Sequence, residues 1–157
     1  MTLDQRLADY AGATAEFLAA ATTLTPETLD AHAEGGWSAR QVIHHLADSE
    51  AQSYARLRRL LAEPAGSLIS GYDEAAWANC AALGYRDLPV EHSLAVLRAV
   101  RAASLDVLAR LSPGDLECYG EHSDSGRYTL NQWLDIYTRH PREHARQLLE
   151  AACAARD

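Results

Sequence analysis

His140 and His144 stand four residues apart, and His45 lies far upstream on a separate stretch of helical pattern. On a helix, four residues advance about 6 Å and rotate by only about 40°, so the two later imidazoles can converge on one point. A third imidazole from another helix would complete a three-nitrogen site for a divalent metal ion. Neutral imidazoles leave the full positive charge on the ion and leave coordination positions open. Such a centre lowers the pKa of bound water towards about 7, the chemistry of hydrolysis, or binds a thiol as thiolate, the chemistry of thiol transfer. Imidazole suits zinc, nickel, copper or iron and does not choose among them. Histidine pairs at this spacing also arise without any ion, and a lone helical histidine is more often an ordinary core or surface residue. Spacing alone does not decide between the two.

Other residues compete for roles at such a centre. The string His140-Pro141-Arg142-Glu143-His144 matches the H-x-x-E-H pattern of inverted zinc peptidases. Those enzymes need a further ligand downstream, yet only thirteen residues follow His144. Pro141 also lacks the amide that would bond the Tyr137 carbonyl, so a kink is expected inside the motif. Asp48, three residues after His45, is a candidate general base or a partner that orients a ligand ring. Glu143, Asp73 and Glu74 are further candidates, although helical carboxylates usually face water. His44 is turned about 100° from His45 and should leave the site. His122 sits in a polar loop where it can line an entrance, whereas His32 and His92 read as surface residues. Arg56 and Tyr54 are candidates for substrate recognition, with packing or surface roles as the plainer reading. Cys80 and Cys118 are the residues that could close the coordination sphere; an open position favours catalysis and a fourth protein ligand a structural metal.

Four main helices must position these groups. Leu7, Tyr10, Phe17, Leu18 and Ala21 recur at helical spacing, with Thr14 on the same face, and the pattern stops before Thr25-Pro26. A second helix starts at Ser38, where Ser38 and Gln41 fit a capping box and Trp37 and Val42 a hydrophobic staple. It runs through Ile43, Leu46, Leu57 and Leu61 to end near Pro64. The stretch Pro64 to Pro89 is too long for a simple turn and suits a crossover, with a short helix capped by Asp73 and closed by Gly84. A third helix carries Val90, Leu94, Leu97, Arg101, Ser104, Leu108 and Leu111 on one stripe and ends at Pro113-Gly114. Thr129 and Gln132 open the fourth with a second capping box, stapled by Tyr128 and Trp133.

The chain has 157 residues, 48% of them apolar, which fits one domain over 1–157 with its own core. A net charge of −8 disfavours general attraction to phosphate backbones or anionic lipid, and no basic stripe marks a nucleic-acid surface. Cys80, Cys118 and Cys153 are odd in number and widely spaced, as expected of reduced thiols in a cytoplasmic protein. The first residues lack a signal-peptide pattern, and no apolar run is long enough to span a bilayer.

Three segments carry a family resemblance. The run Trp37-Ser38-Ala39-Arg40-Gln41-Val42-Ile43-His44-His45-Leu46-Ala47-Asp48-Ser49 resembles the second-helix signature of the DinB/YfiT-like family. Gly71-Tyr72-Asp73-Glu74-Ala75-Ala76-Trp77-Ala78 and the segment from His122 through Tyr128-Thr129-Leu130 to His140 and His144 are similar to its later motifs, in the same order. The resemblance implies an all-α four-helix bundle with a long crossover. It implies that His45, His140 and His144 are ligands of one divalent ion, nickel or zinc. It further implies a metal-dependent hydrolase or a low-molecular-weight-thiol S-transferase, acting on a small molecule, commonly as a homodimer. Val96, Val100 and Val107 lie off the third helix's main stripe and could supply the dimer contact. A non-catalytic bundle with a structural or vestigial metal site is the alternative.

Overall fold

A computed structural model describes residues 1–154; positions 155–157 lie outside the described residues. Four long helices form the body: α1 (Leu3–Thr22), α3 (Ala39–Ala62), α5 (Glu91–Leu108) and α6 (Leu130–Cys153), with short helices α2 (Pro26–Leu29) and α4 (Glu74–Asn79) between them. Both capping boxes form: Ser38 and Gln41 close the start of α3, and Thr129 and Gln132 that of α6. A third, at Thr2 and Gln5, opens α1. Each satisfies amide donors that the first helical turn would otherwise leave unpaired. Asp73 caps α4 through the Ala76 amide, and Gly84, at φ 62°, ends the single 3₁₀ turn that follows.

Side-chain pairings give the helix directions. The Trp133 indole donates to the Ser53 carbonyl while His45 meets His140 and His144, so α3 and α6 run antiparallel. His44 meets Ser93 and Glu50 meets Arg101, so α3 and α5 run parallel. A parallel pair needs a connection that carries the chain back along the bundle, and the long segment after α3 supplies it.

One strand on that return path joins two strands of the α5–α6 connection in a small three-stranded sheet, which the helical reading of the sequence does not contain. β1 (Leu68–Ile69) pairs in parallel with β2 (Tyr119–His122), and β2 pairs antiparallel with β3 (Gly126–Thr129). Gly126 turns the hairpin at φ 76°. Gly120 lies so close to β1 that a Cβ there would stand 2.6 Å from both Ile69 Cγ1 and the Ser67 carbonyl. These strands are two to four residues long, too short to carry a periodic signal, and pairing between distant segments creates them.

The apolar core falls into two clusters. One gathers Tyr10, Leu57, Leu108, Trp133 and Tyr137; the other gathers Phe17, Ile43, Leu46, Leu97 and Leu148. Fully burying side chains of this size contributes about 1.5–3 kcal/mol each. Between them each long helix contributes a polar or irregular position: Thr14, Glu50, Arg101 with Ser104, and Pro141. Among the described residues no helix is long and apolar enough to cross a membrane.

Candidate metal centre

The antiparallel packing of α3 on α6 brings His45 against His140 and His144. Ring centroids lie 5.5 Å apart for His45 and His140, 4.7 Å for His45 and His144, and 4.3 Å for His140 and His144. Each ring offers a nitrogen to a group whose members all lie within 4.8 Å of one another. His140 Nε2 and His144 Nε2 are 2.9 Å apart. Two nitrogens bound at 2.0–2.1 Å to one ion stand roughly 2.9–3.4 Å apart, so this pair already has a suitable separation.

Hydrogen bonding orients the His144 ring. His144 Nδ1 donates to Gln147 Oε1 at 2.7 Å, which leaves the Nε2 lone pair facing the cluster. Trp37 packs edgewise on His45, with centroids 5.0 Å apart. His45 Nδ1 is buried without a protein partner, which is unfavourable for a polar atom and fits a site meant to hold something more than itself. Burial, reinforced by the neighbouring His144, pushes His45 down to about 4. Burial also lowers His140, to about 3, helped by His144 and His45. Burial lowers His144 too, opposed by its bond to Gln147. Near neutral pH the cluster therefore presents uncharged imidazoles, the form that binds a metal ion.

The other candidates disperse. His44 is buried but faces α5: its Nε2 donates to the Leu88 carbonyl at 3.1 Å and its Nδ1 accepts from Ser93 Oγ at 2.7 Å, so both nitrogens are used. Asp48 lies on that same side, bonded to the Tyr85 hydroxyl, and the fold does not bring it into the histidine cluster. Glu143 pairs with Arg139 at 3.0 Å and its side chain is 43% exposed, unlike the buried base of a peptidase motif. Asp73 is used as the α4 cap. His32 and His92 are exposed. Tyr54 lies beneath the Arg58 guanidinium. Cys80 is exposed and Cys118 half-buried, and among the described residues no cysteine or carboxylate joins the three histidines.

Beside His140 a pocket of about 220 Å³ opens, lined by Arg56, Tyr72, Glu74, His122, Asp124 and Tyr137 among others. The sheet builds its far wall: Ser123, in the β2–β3 turn, accepts from the Gly71 amide at 2.9 Å and ties that turn to the segment carrying Tyr72 and Glu74. Arg56 donates to the Tyr137 hydroxyl at 3.0 Å and to the Ser70 carbonyl at 2.9 Å, both neutral acceptors. Its Nε is buried without a partner, and none of the ion pairs among the described residues includes it. Gln147, Tyr72 and Arg101 were not indicated as site residues by sequence alone. Gln147 could have been found by its i+3 spacing from His144.

The family model of the DinB superfamily matches residues 10–148. The chain belongs to the DinB superfamily. A protein of Oceanobacillus iheyensis, carried under the provisional name of metal-dependent hydrolase, is 38% identical over 122 residues, 77% of this chain and 69% of that one. A Bacillus mycoides protein with the same provisional description is 36% identical over 110 residues, and there the match spans only 61% of the relative's length. Among solved structures, YfiT from Bacillus subtilis superposes with a TM-score of 0.85 at 29% identity, covering 96% of this chain and 86% of that one. YfiT is described as a probable metal-dependent hydrolase with an unusual four-helix bundle topology. This DinB-superfamily chain shares that topology, and its three-histidine cluster is a group that could hold a metal ion.

Proposed function

We propose that this chain is a metal-dependent hydrolase of small molecules, a single helical domain in which His45, His140 and His144 hold one divalent ion, nickel or zinc. The observation that carries the reading is the convergence of three uncharged imidazoles from two helices, with the buried His45 Nδ1 unpartnered, on the edge of a pocket. When bound, the ion supplies Lewis-acid chemistry, polarising a carbonyl and acidifying water. The chain's own residues do the rest. Gln147 holds the His144 ring in the tautomer that leaves Nε2 free. Trp37 and the α3–α6 contact keep water from the buried side of His45. Arg56, a guanidinium with only neutral partners, offers its charge to an anionic group of the substrate at the pocket wall. Glu74 and Asp124 on the same pocket offer carboxylates to a basic or hydroxyl-bearing part.

The names of the relatives and of YfiT support hydrolysis. The same ligand set would serve transfer of a low-molecular-weight thiol, and one experiment separates the two. Metal-analysed protein is assayed with and without chelator against ester, amide and thiol-conjugation substrates. Metal-dependent turnover of an ester or amide is the expected result. Turnover confined to thiol conjugation would replace hydrolase by transferase. Full metal loading with no metal-dependent turnover in any class would leave a non-catalytic binding bundle.

A further inference from the structure

Pro141 lies inside α6, between His140 and His144, and has no amide hydrogen to give the Tyr137 carbonyl. An unpaired carbonyl in a buried helix is unfavourable, and the fold must supply another donor or bend the helix. The donor is a side chain from a different helix: Arg101 Nη1, on α5, donates to the Tyr137 carbonyl at 2.9 Å. That same nitrogen donates to Glu50 Oε1, on α3, at 2.6 Å. One atom thus joins the helix that carries His45 to the helix that carries His140 and His144. Arg101 is 1% and Glu50 0% exposed.

The rest of the guanidinium is equally committed. Nη2 donates to the Tyr10 carbonyl at 3.0 Å, Nε donates to Thr14 Oγ1, and the plane lies over the Tyr10 ring. Glu50 Oε2 accepts from Ser53 Oγ at 2.8 Å. Burial pushes the Glu50 carboxyl up from its ordinary range, and Arg101 and Ser53 act against that. Surrounding groups occupy these charges on every side, so they are held by the fold and not offered to a ligand. Their position along the helices is the informative feature. Glu50 follows His45 by five residues and Tyr137 precedes His140 by three, which places the bridge roughly one turn of each helix from the ligand rings.

We propose that Glu50 and Arg101 form a buried clamp that replaces the helix hydrogen bond lost at Pro141, and thereby sets the spacing of His45 against His140 and His144. They are positioning residues for the metal centre, acting through the Tyr137 carbonyl. This inference rests on the three-histidine reading. A pure stability role predicts something different: a buried ion pair replaced by apolar residues of similar volume is often neutral or stabilising for the fold. If the pair existed only for stability, its neat removal would leave metal affinity untouched.

The test uses the full chain with the double substitution Glu50→Met and Arg101→Met, which removes both charges together. Arg101→Lys serves as a second variant: it keeps a charge beside Glu50 but loses the planar fork that reaches two acceptors. Zn²⁺ affinity is measured by competition with a chromophoric chelator, and amide hydrogen exchange of the 142–146 segment is measured in chelator without metal. The expected result is a helical, cooperatively unfolding protein whose Zn²⁺ affinity falls about 10- to 100-fold, the range for residues that orient metal ligands. Exchange in that segment should quicken. Adding Pro141→Ala to either variant restores an amide for the Tyr137 carbonyl and should recover most of both losses, which a general packing defect would not allow. Wild-type affinity in the folded variants, or a loss that Pro141→Ala does not recover, overturns the clamp. Absence of Zn²⁺ binding by the wild-type chain would sink the metal reading instead, and the exchange measurement would still decide the clamp.

Discussion

Acidifying the metal-free protein from pH 7 to pH 5 should destabilise it strongly, above the pH at which carboxylates titrate, because the histidines of the cluster are buried uncharged. His45 is held down to about 4 and His140 to about 3, against an ordinary value of 6.5. Their pKa values in the folded state lie below those in the unfolded chain, so the unfolded chain takes up protons first as pH falls. The stability they contribute is fully present above pH 6.5 and drains away as pH drops towards 4 and then 3. Between pH 7 and pH 5 each of the two rings should cost about 1.8 kcal/mol, roughly 3.5 kcal/mol together. His144 and His122 are lowered in the same direction and add to the loss. Against a typical stability of about 5–15 kcal/mol, this is a large part of the whole. The assay is urea unfolding followed by circular dichroism, in chelator, at pH 7, 6 and 5. His140→Gln and His45→Gln should each remove a substantial share of the pH dependence, less than half of it, while lowering stability at pH 7 only modestly. A stability that stays flat from pH 7 to pH 5, or a slope unchanged in both variants, would refute the reasoning. Helical signal should persist in chelator at pH 7, since two apolar clusters and three long-helix capping boxes do not depend on an ion. Its collapse there would make the metal structural, as in a zinc finger.

Other outcomes follow from the same geometry. His45→Ala, His140→Ala and His144→Ala should each remove most bound metal by elemental analysis, whereas His44→Ala should keep it and instead lose about 1–3 kcal/mol of stability, because Ser93 and the Leu88 carbonyl lose their partner. Gln147→Leu should weaken Zn²⁺ binding about 10- to 100-fold in a chelator competition, with thermal unfolding of the metal-free form nearly unchanged. Arg56→Met should raise KM for anionic substrates more than for neutral ones in whatever metal-dependent assay responds; an equal effect on both would remove Arg56 from recognition. Sedimentation at micromolar concentration should show a homodimer, with Val96, 42% exposed, on the contact face; a monomer would end that expectation.

What the sequence alone determined is the part written in neighbouring residues. Helical periodicity, Ser38 with Gln41 and Thr129 with Gln132 specify where α3 and α6 start, because caps are satisfied within one turn. The same local geometry puts His140 and His144 on one face and turns His44 away from His45. The length of the connection from Pro64 to Pro89 pointed to the crossover, and the family resemblance supplied the third histidine, which spacing alone could not settle. Tertiary structure decided the rest. Asp48, a neighbour of His45 in sequence, is drawn off by Tyr85, and the sheet that walls the pocket forms only where Leu68–Ile69 meets Tyr119–His122. Arg101 looks like a charge misplaced on an apolar stripe until Glu50, Tyr10 and Tyr137 are brought round it. Pro141 looks like a helix breaker until Arg101 supplies the missing donor. The partners in each case lie tens of residues apart, and a buried charge or an orphaned carbonyl acquires its meaning only from the donors that packing places around it.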